Sequence, residues 1–315
     1  MFWKIGLPSP PKFGTTRAVD LVMFSPMLSS LAKRSSRALF STMPHPYADL
    51  AGKVCVVAGS GNPANERHGL GAMTSIYLAR YGAKVVSVSH MDESAARVTK
   101  AITDEGNEGV GFVGDMRDYD KVTELKDFVL EKYGKVDVLI NAGIHDALPN
   151  GFKKMTLEKW QSNMDLNLNV HFHLIHAFLP AFHDGGSGNI IHFNTFGGNN
   201  SLGMGAQRHG YFAGKGGAAI LTRRIGIENS KKAIRANVLA IGYAEGPLVD
   251  RAVAQADADI NAVNEKRGAN VPRGYQITPD EVAGAACFLA SDASSSINAA
   301  EIFADGGNHG VTYGP

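Results

Sequence analysis

The sequence predicts an α/β fold, a doubly wound parallel sheet of about seven strands with helices on both faces. Three observations lead there. Apolar runs such as Val54-Cys55-Val56-Val57 and Val138-Leu139-Ile140 are nearly continuous, the mark of strands buried on both sides. Segments with apolar residues three and four apart separate those runs. No internal repeat or second core appears, so residues 49–315 read as one domain.

The first unit sets the pattern. Its apolar run breaks into Ala58-Gly59-Ser60-Gly61-Asn62-Pro63, and Gly69-Leu70-Gly71 opens a helix carrying Met73, Ile76, Tyr77 and Leu78. Val85-Val86-Ser87-Val88 follows. Strand, glycine loop, helix, strand makes a right-handed βαβ unit with an anion site at the helix N-terminus. Glycine lets the backbone approach a pyrophosphate, and the free N–H groups and positive helix end hold its charge. A glycine turn alone needs no ligand. Flanked by strand and helix, it reads as a nucleotide site.

The remaining elements follow in order. Residues 92–105 form a helix with Ala95, Val98 and Ile102 as its stripe, and 109–113 a strand ending in Gly114-Asp115-Met116. Residues 119–133 are helical, with Val122, Leu125, Phe128 and Val129 on one face. A strand over 136–140 runs into Asn141-Ala142-Gly143, and a long helix spans 156–182. Strands are expected at 189–193, 234–240 and 299–303, with helices at 210–228 and 279–290. The alanine-rich stretch 252–267 is helix-prone, and Asp305-Gly306-Gly307 closes the last strand.

Composition excludes several roles. With 44% apolar and 19% charged residues and a net charge of +1, nothing suggests a nucleic-acid or acidic partner. No apolar run reaches the roughly 18 residues of a spanning helix, so no membrane partner is expected. Cys55 and Cys287 form no CxxC pair and read as buried thiols, with no metal site. Residues 1–48 differ: Lys4, Lys12, Arg17, Lys33, Arg34 and Arg37 face one acid, Asp20, among many serines. That composition predicts a mitochondrial transit peptide. A disordered extension, or a start at Met43 with a cytoplasmic location, are the competing readings.

Chemistry concentrates at Tyr211-Phe212-Ala213-Gly214-Lys215. Four residues apart on a helix, the phenol and the amine share a face. An ammonium beside a phenol favours the phenolate, which suits the tyrosine to proton exchange at a carbonyl or alcohol oxygen. A plain surface pair has the same spacing.

The chain from about Leu50 to Asn308 resembles the short-chain dehydrogenase/reductase family of NAD(P)-dependent oxidoreductases. The motifs that carry the resemblance are Gly59…Gly69-Leu70-Gly71, Asp115, Asn141-Ala142-Gly143, Trp160…Asn167, Tyr211…Lys215 and Asp305-Gly306-Gly307. The resemblance implies a Rossmann-type fold, a carbonyl or alcohol substrate, and assembly as a homodimer or homotetramer. It implies that Tyr211 is the general acid/base, that Lys215 binds the nicotinamide ribose, and that Asn167 positions a proton-relaying water. Thr195 stands where the family orients substrate with a serine, and its hydroxyl can make the same bonds; Ser201 is the alternative. Gly59, Ser60, Gly69, Leu70 and Gly71 would hold the pyrophosphate, Ser89 and His90 the adenosine ribose, and Asp115 and Met116 the adenine. Asn141, Ala142 and Gly143 would lie along the cofactor, with Tyr211 and Lys215 at its nicotinamide end.

Several positions depart from the family. Nine residues stand between Gly59 and Gly69, a length closer to enoyl-acyl-carrier-protein reductases, whose tyrosine and lysine lie further apart. Ile241-Gly242 replaces Pro-Gly, and Gly246 stands near the place of a threonine that contacts nicotinamide. Enoyl reduction and a non-catalytic nucleotide-binding role are therefore the alternative functions. Ser89, in place of an acid, leaves a ribose 2′-phosphate unopposed and predicts NADP over NAD. Arg67, His68 and His90 are the candidate partners for that phosphate. His171, His173 and His176 lie on the helix that packs against a partner subunit in the family. Gly214, Gly216 and Gly217 suggest close helix contact across such an interface, and 252–267 falls at the family's substrate lid.

Overall fold

The computed structural model describes residues 47–61, 67–143, 151–196, 208–255, 257 and 259–310. The transit-peptide expectation and Ser201 fall outside these residues, apart from the last two positions of the former. The first half of the domain runs β1 (Val54–Ala58), α1 (Leu70–Arg80), β2 (Lys84–Ser89), α2 (Asp92–Asp104), β3 (Gly109–Val113), α3 (Tyr119–Tyr133) and β4 (Val138–Asn141). The second half holds α4 (Leu157–Met164), a π-helical turn (Asp165–Asn169), α5 (Val170–Gly185), β5 (Gly188–Thr195) and α6 (His209–Asn229). Then come β6 (Ile234–Ile241), α7 (Pro247–Gln255), α8 (Ile260–Ala269), α9 (Pro279–Ala290) and β7 (Glu301–Ala304).

Local signals explain many boundaries. Asp118 caps α3 by accepting from Asp120 N, and Gly134 ends it at φ 73°. Thr278 and Glu281 form a reciprocal capping box on α9, with Pro279 at its first position. β7 begins two residues later than expected. Ala299 adopts φ 56°, left-handed backbone that a strand cannot contain.

Among the described residues seven strands form one sheet in the order β3-β2-β1-β4-β5-β6-β7, every pair parallel. Both faces are covered, as near-continuous apolar strands require. Val57, Val85, Ile140 and Phe193 pack on one side against α1, α2 and α9. Val56, Val86, Leu139 and Ile190 pack on the other against α3, α5 and α6. The order reverses between β1 and β4, so a crevice opens beyond the carboxyl ends of these strands.

The expected long helix is three pieces. Between α4 and α5 the chain makes a wider π turn over Asp165–Asn169, and this turn carries Asn167. Such turns occur frequently at functional sites.

Candidate functional site

A cleft of about 750 Å³ lies at that reversal. Its floor is glycine backbone. Gly59 turns at φ +83°, and a Cβ there would lie 2.4 Å from the Gly143 nitrogen. One at Gly71 would lie 2.3 Å from the Gly59 carbonyl oxygen. Three backbones thus meet with no room for a side chain, and the first turn of α1, with Gly69, Leu70 and Gly71, lines the cleft beside them. The exposed N–H groups and positive end of α1 suit a pyrophosphate.

Ser60 stands apart from its expected role. It is fully buried, its Oγ 2.8 Å from Ser75 Oγ, so it ties the loop to α1 and does not line the cleft.

At the far end of the cleft stand Ser89, His90, Asp115 and Met116. Ser89 Oγ accepts from Met91 N at 3.1 Å, which turns the chain out of β2. Asp115 is gripped by Arg117 (Nε 2.8 Å from Oδ2), which also lines the cleft. This guanidinium holds the Asp115 carboxyl below its usual range. The two other basic candidates do not arrive. Arg67 pairs with Glu245 and, at 3.8 Å, with Asp250, tying the glycine loop to α7. Burial and the charges of Arg97 and Arg80 lower the pKa of His68, which keeps it neutral. Neither lines the cleft; Arg117 does, and no motif marks it.

Asn141, Ala142 and Gly143 form the wall beside β4. Asn141 Oδ1 accepts from Gly143 N at 3.1 Å, and Asn141 Nδ2 lies 3.2 Å from His171 Nδ1. His171 Nε2 in turn lies 2.7 Å from Thr222 Oγ1, which donates to the Ala218 carbonyl. An amide nitrogen can only donate, so His171 accepts at Nδ1 and donates from Nε2. The result is a one-way chain of donation from Gly143 N–H to the Ala218 carbonyl inside α6. His171 is 1% exposed, its ring tilted against that of His192 with centroids 4.2 Å apart, and burial pulls its pKa down to about 3. It is therefore a neutral core residue. His173 and His176 turn elsewhere, to the Met116 carbonyl and the Tyr119 hydroxyl. The three histidines do not converge, and His171 is unavailable to a partner subunit.

Tyr211 and Thr195 line the same cleft, from the first turn of α6 and the end of β5. Lys215 stands behind them, fully buried, its Nζ donating to the carbonyls of Gly143 at 2.8 Å and Phe193 at 2.9 Å. Burial lowers its pKa to about 7, while the two carbonyl acceptors favour the charged form. The helical spacing thus yields a phenol in the cleft and an amine locked beneath it, which a surface pair would not give.

Asn167 also sits one layer back. It is 1% exposed, its Nδ2 donating to the Asn163 carbonyl at 3.0 Å. The glycines of α6 explain how it comes so close. A Cβ on Gly210 would lie 2.9 Å from Asn163 Cβ, and one on Gly214 2.9 Å from Asn167 Cβ. Gly210 thus meets the end of α4, and Gly214 and Gly217 meet Asn167 and Leu168 of the π turn in the same chain, so the close contacts of Gly214 and Gly217 lie within the chain and not across the oligomer interface expected of them. The sequence showed the glycines but not the turn they accommodate.

The cleft's other end is closed by α7 and α8, where residues 252–267 were expected to form a lid. Ile241 and Gly246 both line it, and Ile241 sits in ladder register with Thr195 and Ala304.

Known proteins agree with this geometry. A family model described as Enoyl-(Acyl carrier protein) reductase matches residues 64–309. The chain belongs to the short-chain dehydrogenase/reductase family. Cis-4-hydroxycyclohexanecarboxylate dehydrogenase of Sinomonas cyclohexanicum is 35% identical over 82% of this chain and 96% of its own. 3beta-hydroxysteroid dehydrogenase 1 of Eggerthella lenta is 32% identical over 83% and 95%. The crystal structure of levodione reductase superposes with a TM-score of 0.75 at 27% identity, covering 83% of this chain and 99% of that one. This member of the family is thus an oxidoreductase acting on CH–OH and C=O groups with a nicotinamide dinucleotide.

Proposed function

We propose that this short-chain dehydrogenase/reductase interconverts a secondary alcohol and a ketone on a small, mainly apolar carbon skeleton, with NADP(H) preferred. The observation that carries the reading is Tyr211 in the cleft with Lys215 clamped below it by two backbone carbonyls. The dinucleotide supplies or takes the hydride. Tyr211 gives or takes the proton at the substrate oxygen, Lys215 charges the site in favour of the phenolate, and the Thr195 hydroxyl orients that oxygen. Asn167, held against α6, keeps the proton path to the tyrosine in place. Gly59, Gly69, Leu70 and Gly71 hold the pyrophosphate, and Asn141, Ala142 and Gly143 flank the cofactor.

The NADP preference rests on Ser89, which sets no carboxylate against a 2′-phosphate, and on His90 and Arg117 along the same end of the cleft. One charge-assisted hydrogen bond is worth about 1.5–3 kcal/mol, about ten- to a hundredfold in kcat/KM. We place the working form as a homodimer or homotetramer. Phe172, Ile220 and Ile227 stand 48%, 52% and 55% exposed on α5 and α6, apolar surface that a partner subunit would cover. Residues 1–48 we assign to mitochondrial import, tested by fusing them to a fluorescent protein; diffuse cytosolic signal would refute it.

The deciding experiment follows reduced-nicotinamide absorbance with a panel of cyclic and acyclic ketones, 3-oxoacyl thioesters and an enoyl thioester, on wild type and Tyr211→Phe. Turnover of ketones that falls at least about 10²-fold in the variant supports the proposal. Turnover of the enoyl compound alone would transfer the chain to enoyl reduction, which the family model's description favours and the Tyr211–Lys215 spacing opposes. NADPH binding with no turnover at all would mark a non-catalytic binder.

A further inference from the structure

We infer that His192 and Lys215 share one internal water beneath the active site, and that His192 is a positioning residue which supports the Lys215 ammonium through it. This rests on the ketone/alcohol reading above and adds a buried group to its machinery.

Strand register brings the two side chains together. β5 turns successive side chains to opposite faces of the sheet. Ile191 and Phe193 join the core under α1 and α9, whereas Ile190 joins the core under α5 and α6. His192 therefore points towards α5 and α6, where its ring meets that of His171. Lys215 reaches the same layer from α6, and its Nζ donates to the carbonyl of Phe193, the residue next to His192. Its other acceptor is the Gly143 carbonyl, two residues past Asn141, and Asn141 is the ladder partner of His192. Lys215, Ala218 and Thr222 fall three and four residues apart on one face of α6, and all three are fully buried.

The two histidines of this layer differ in what they bond. His171 uses both ring nitrogens, on Asn141 and Thr222. Neither nitrogen of the fully buried His192 has a partner among the described residues. A neutral imidazole has one N–H to donate and one lone pair to fill, and leaving both unmet in the interior is costly. Buried polar groups in this position are met by internal water, which itself needs several polar partners. Lys215 offers one. Its ammonium has three donors, and the contacts it makes among the described residues take two of them. A water that accepts from the third N–H and donates to the lone pair of His192 satisfies both groups at once.

Electrostatics favours the same arrangement. Burial, and then the charges of His171 and Lys215, push the pKa of His192 well down, so its ring is neutral. His171 is held neutral by burial and by the Lys215 charge. Around His192, α5 presents His171, α6 presents Lys215, and the neighbouring strands present Asn141 and Val238 in register. A neutral ring that accepts a hydrogen bond stabilises the charged amine against its burial, whereas a protonated ring would repel it. The charge kept on Lys215 is what favours the Tyr211 phenolate, so His192 acts on the proton transfer without touching substrate.

The test follows kcat/KM against pH for oxidation of the alcohol that corresponds to the fastest ketone of the panel, with NADP+. It uses the full-length enzyme, His192→Phe and His192→Gln. Phe keeps a flat ring and removes both nitrogens, whereas Gln can still accept and donate. Oxidation needs the phenolate, so the acid limb of the profile follows Tyr211. In the Phe variant that limb should move to higher pH by roughly half to one unit, a loss of about three- to tenfold along the limb, and converge with wild type at alkaline pH. Gln should return most of the shift. A profile lowered by one factor at every pH, or one left in place, would overturn the inference. A crystal structure of the wild type with NADP(H) gives a second readout that depends on neither turnover nor the folding of variants. An ordered water within about 3.2 Å of both Lys215 Nζ and a His192 nitrogen is expected there, and a His192 that bonds elsewhere would overturn the inference. Failure of every ketone of the panel in the wild type would instead refute the parent reading, and the crystal structure would then decide the water site alone.

Discussion

Gly214→Ala isolates how Asn167 is positioned. The added methyl would lie 2.9 Å from Asn167 Cβ and 3.2 Å from the Asn163 carbonyl oxygen. Restoring ordinary contact needs a separation of about half an ångström more between α6 and the π turn. Overpacking of this kind costs about 1–3 kcal/mol, and alanine returns about 1 kcal/mol over glycine in a helix. The net loss is about 0–2 kcal/mol, a melting point lower by a few degrees at most. Activity should suffer more. A misplacement of about 1 Å can cost on the order of 10²-fold, so half that distance predicts about tenfold in kcat with cofactor affinity nearly unchanged. Gly217→Ala is the internal control, because its methyl would meet only the tips of Leu168 at 3.4 Å. That variant should keep its activity and gain up to about 1 kcal/mol of stability. Steady-state kinetics and thermal melts on both variants decide it. A Gly214→Ala enzyme within about twofold of wild-type kcat would refute the positioning argument.

Replacing His171 by Phe breaks the chain from Thr222 to Asn141 and should cost about 1–3 kcal/mol while weakening NADPH binding; Gln, which can accept and donate, should recover part of both, and equal behaviour of the two variants would exclude the relay. Lys215 has a folded pKa of about 7 against an ordinary 10.5. Between those values the unfolded chain binds a proton that the folded chain lacks, so stability rises with pH across the window. The melting temperature of the cofactor-free wild type, measured against Lys215→Met, should therefore climb from neutral pH towards pH 10, and a flat difference would disprove the assignment. Ser89→Asp should cut kcat/KM for NADPH at least about tenfold by setting a carboxylate at the 2′-phosphate, and unchanged NADPH use would remove Ser89 from cofactor choice.

Much of this was legible because the signals are local. The bounds of α3, α9 and β3 match the sequence reading, for a cap, a proline or a glycine marks each end. Tyr211 and Lys215 were legible because four-residue spacing on a helix fixes a shared face. The π turn was not. Its residues read on from α4 into α5 as one helix, and the close approach of Gly210 and Gly214 to Asn163 and Asn167 joins positions distant in sequence. Arg67 misled for a related reason. Its neighbours in sequence suggest the ribose, but its charge is taken by Glu245 and Asp250, both distant in sequence. Ser60, too, follows Gly59 directly yet bonds Ser75 across the loop.

The two ends of the cleft are held by forces of different strength, and that bears on how a cofactor enters. At the catalytic end every restraint is buried: Lys215 on two carbonyls, Asn167 on a carbonyl, Asn141 on His171. At the lid end the glycine loop is joined to α7 through Arg67, whose side chain is 42% exposed, as are its acidic partners in part. Exposed pairs of this sort contribute about 0–1 kcal/mol and weaken with salt. Opening that end is therefore cheap, and leaves the catalytic groups undisturbed. Arg67→Ala should accordingly change the melting point little, raise the rate of NADPH association and dissociation in stopped-flow fluorescence, and leave kcat for a slow ketone near wild type. Added salt should move wild-type binding rates in the same direction and the variant's less. A variant whose kcat falls as far as that of Gly214→Ala would show that the ion pair holds the catalytic end as well, and the division of the cleft into a stiff half and a loose half would be wrong.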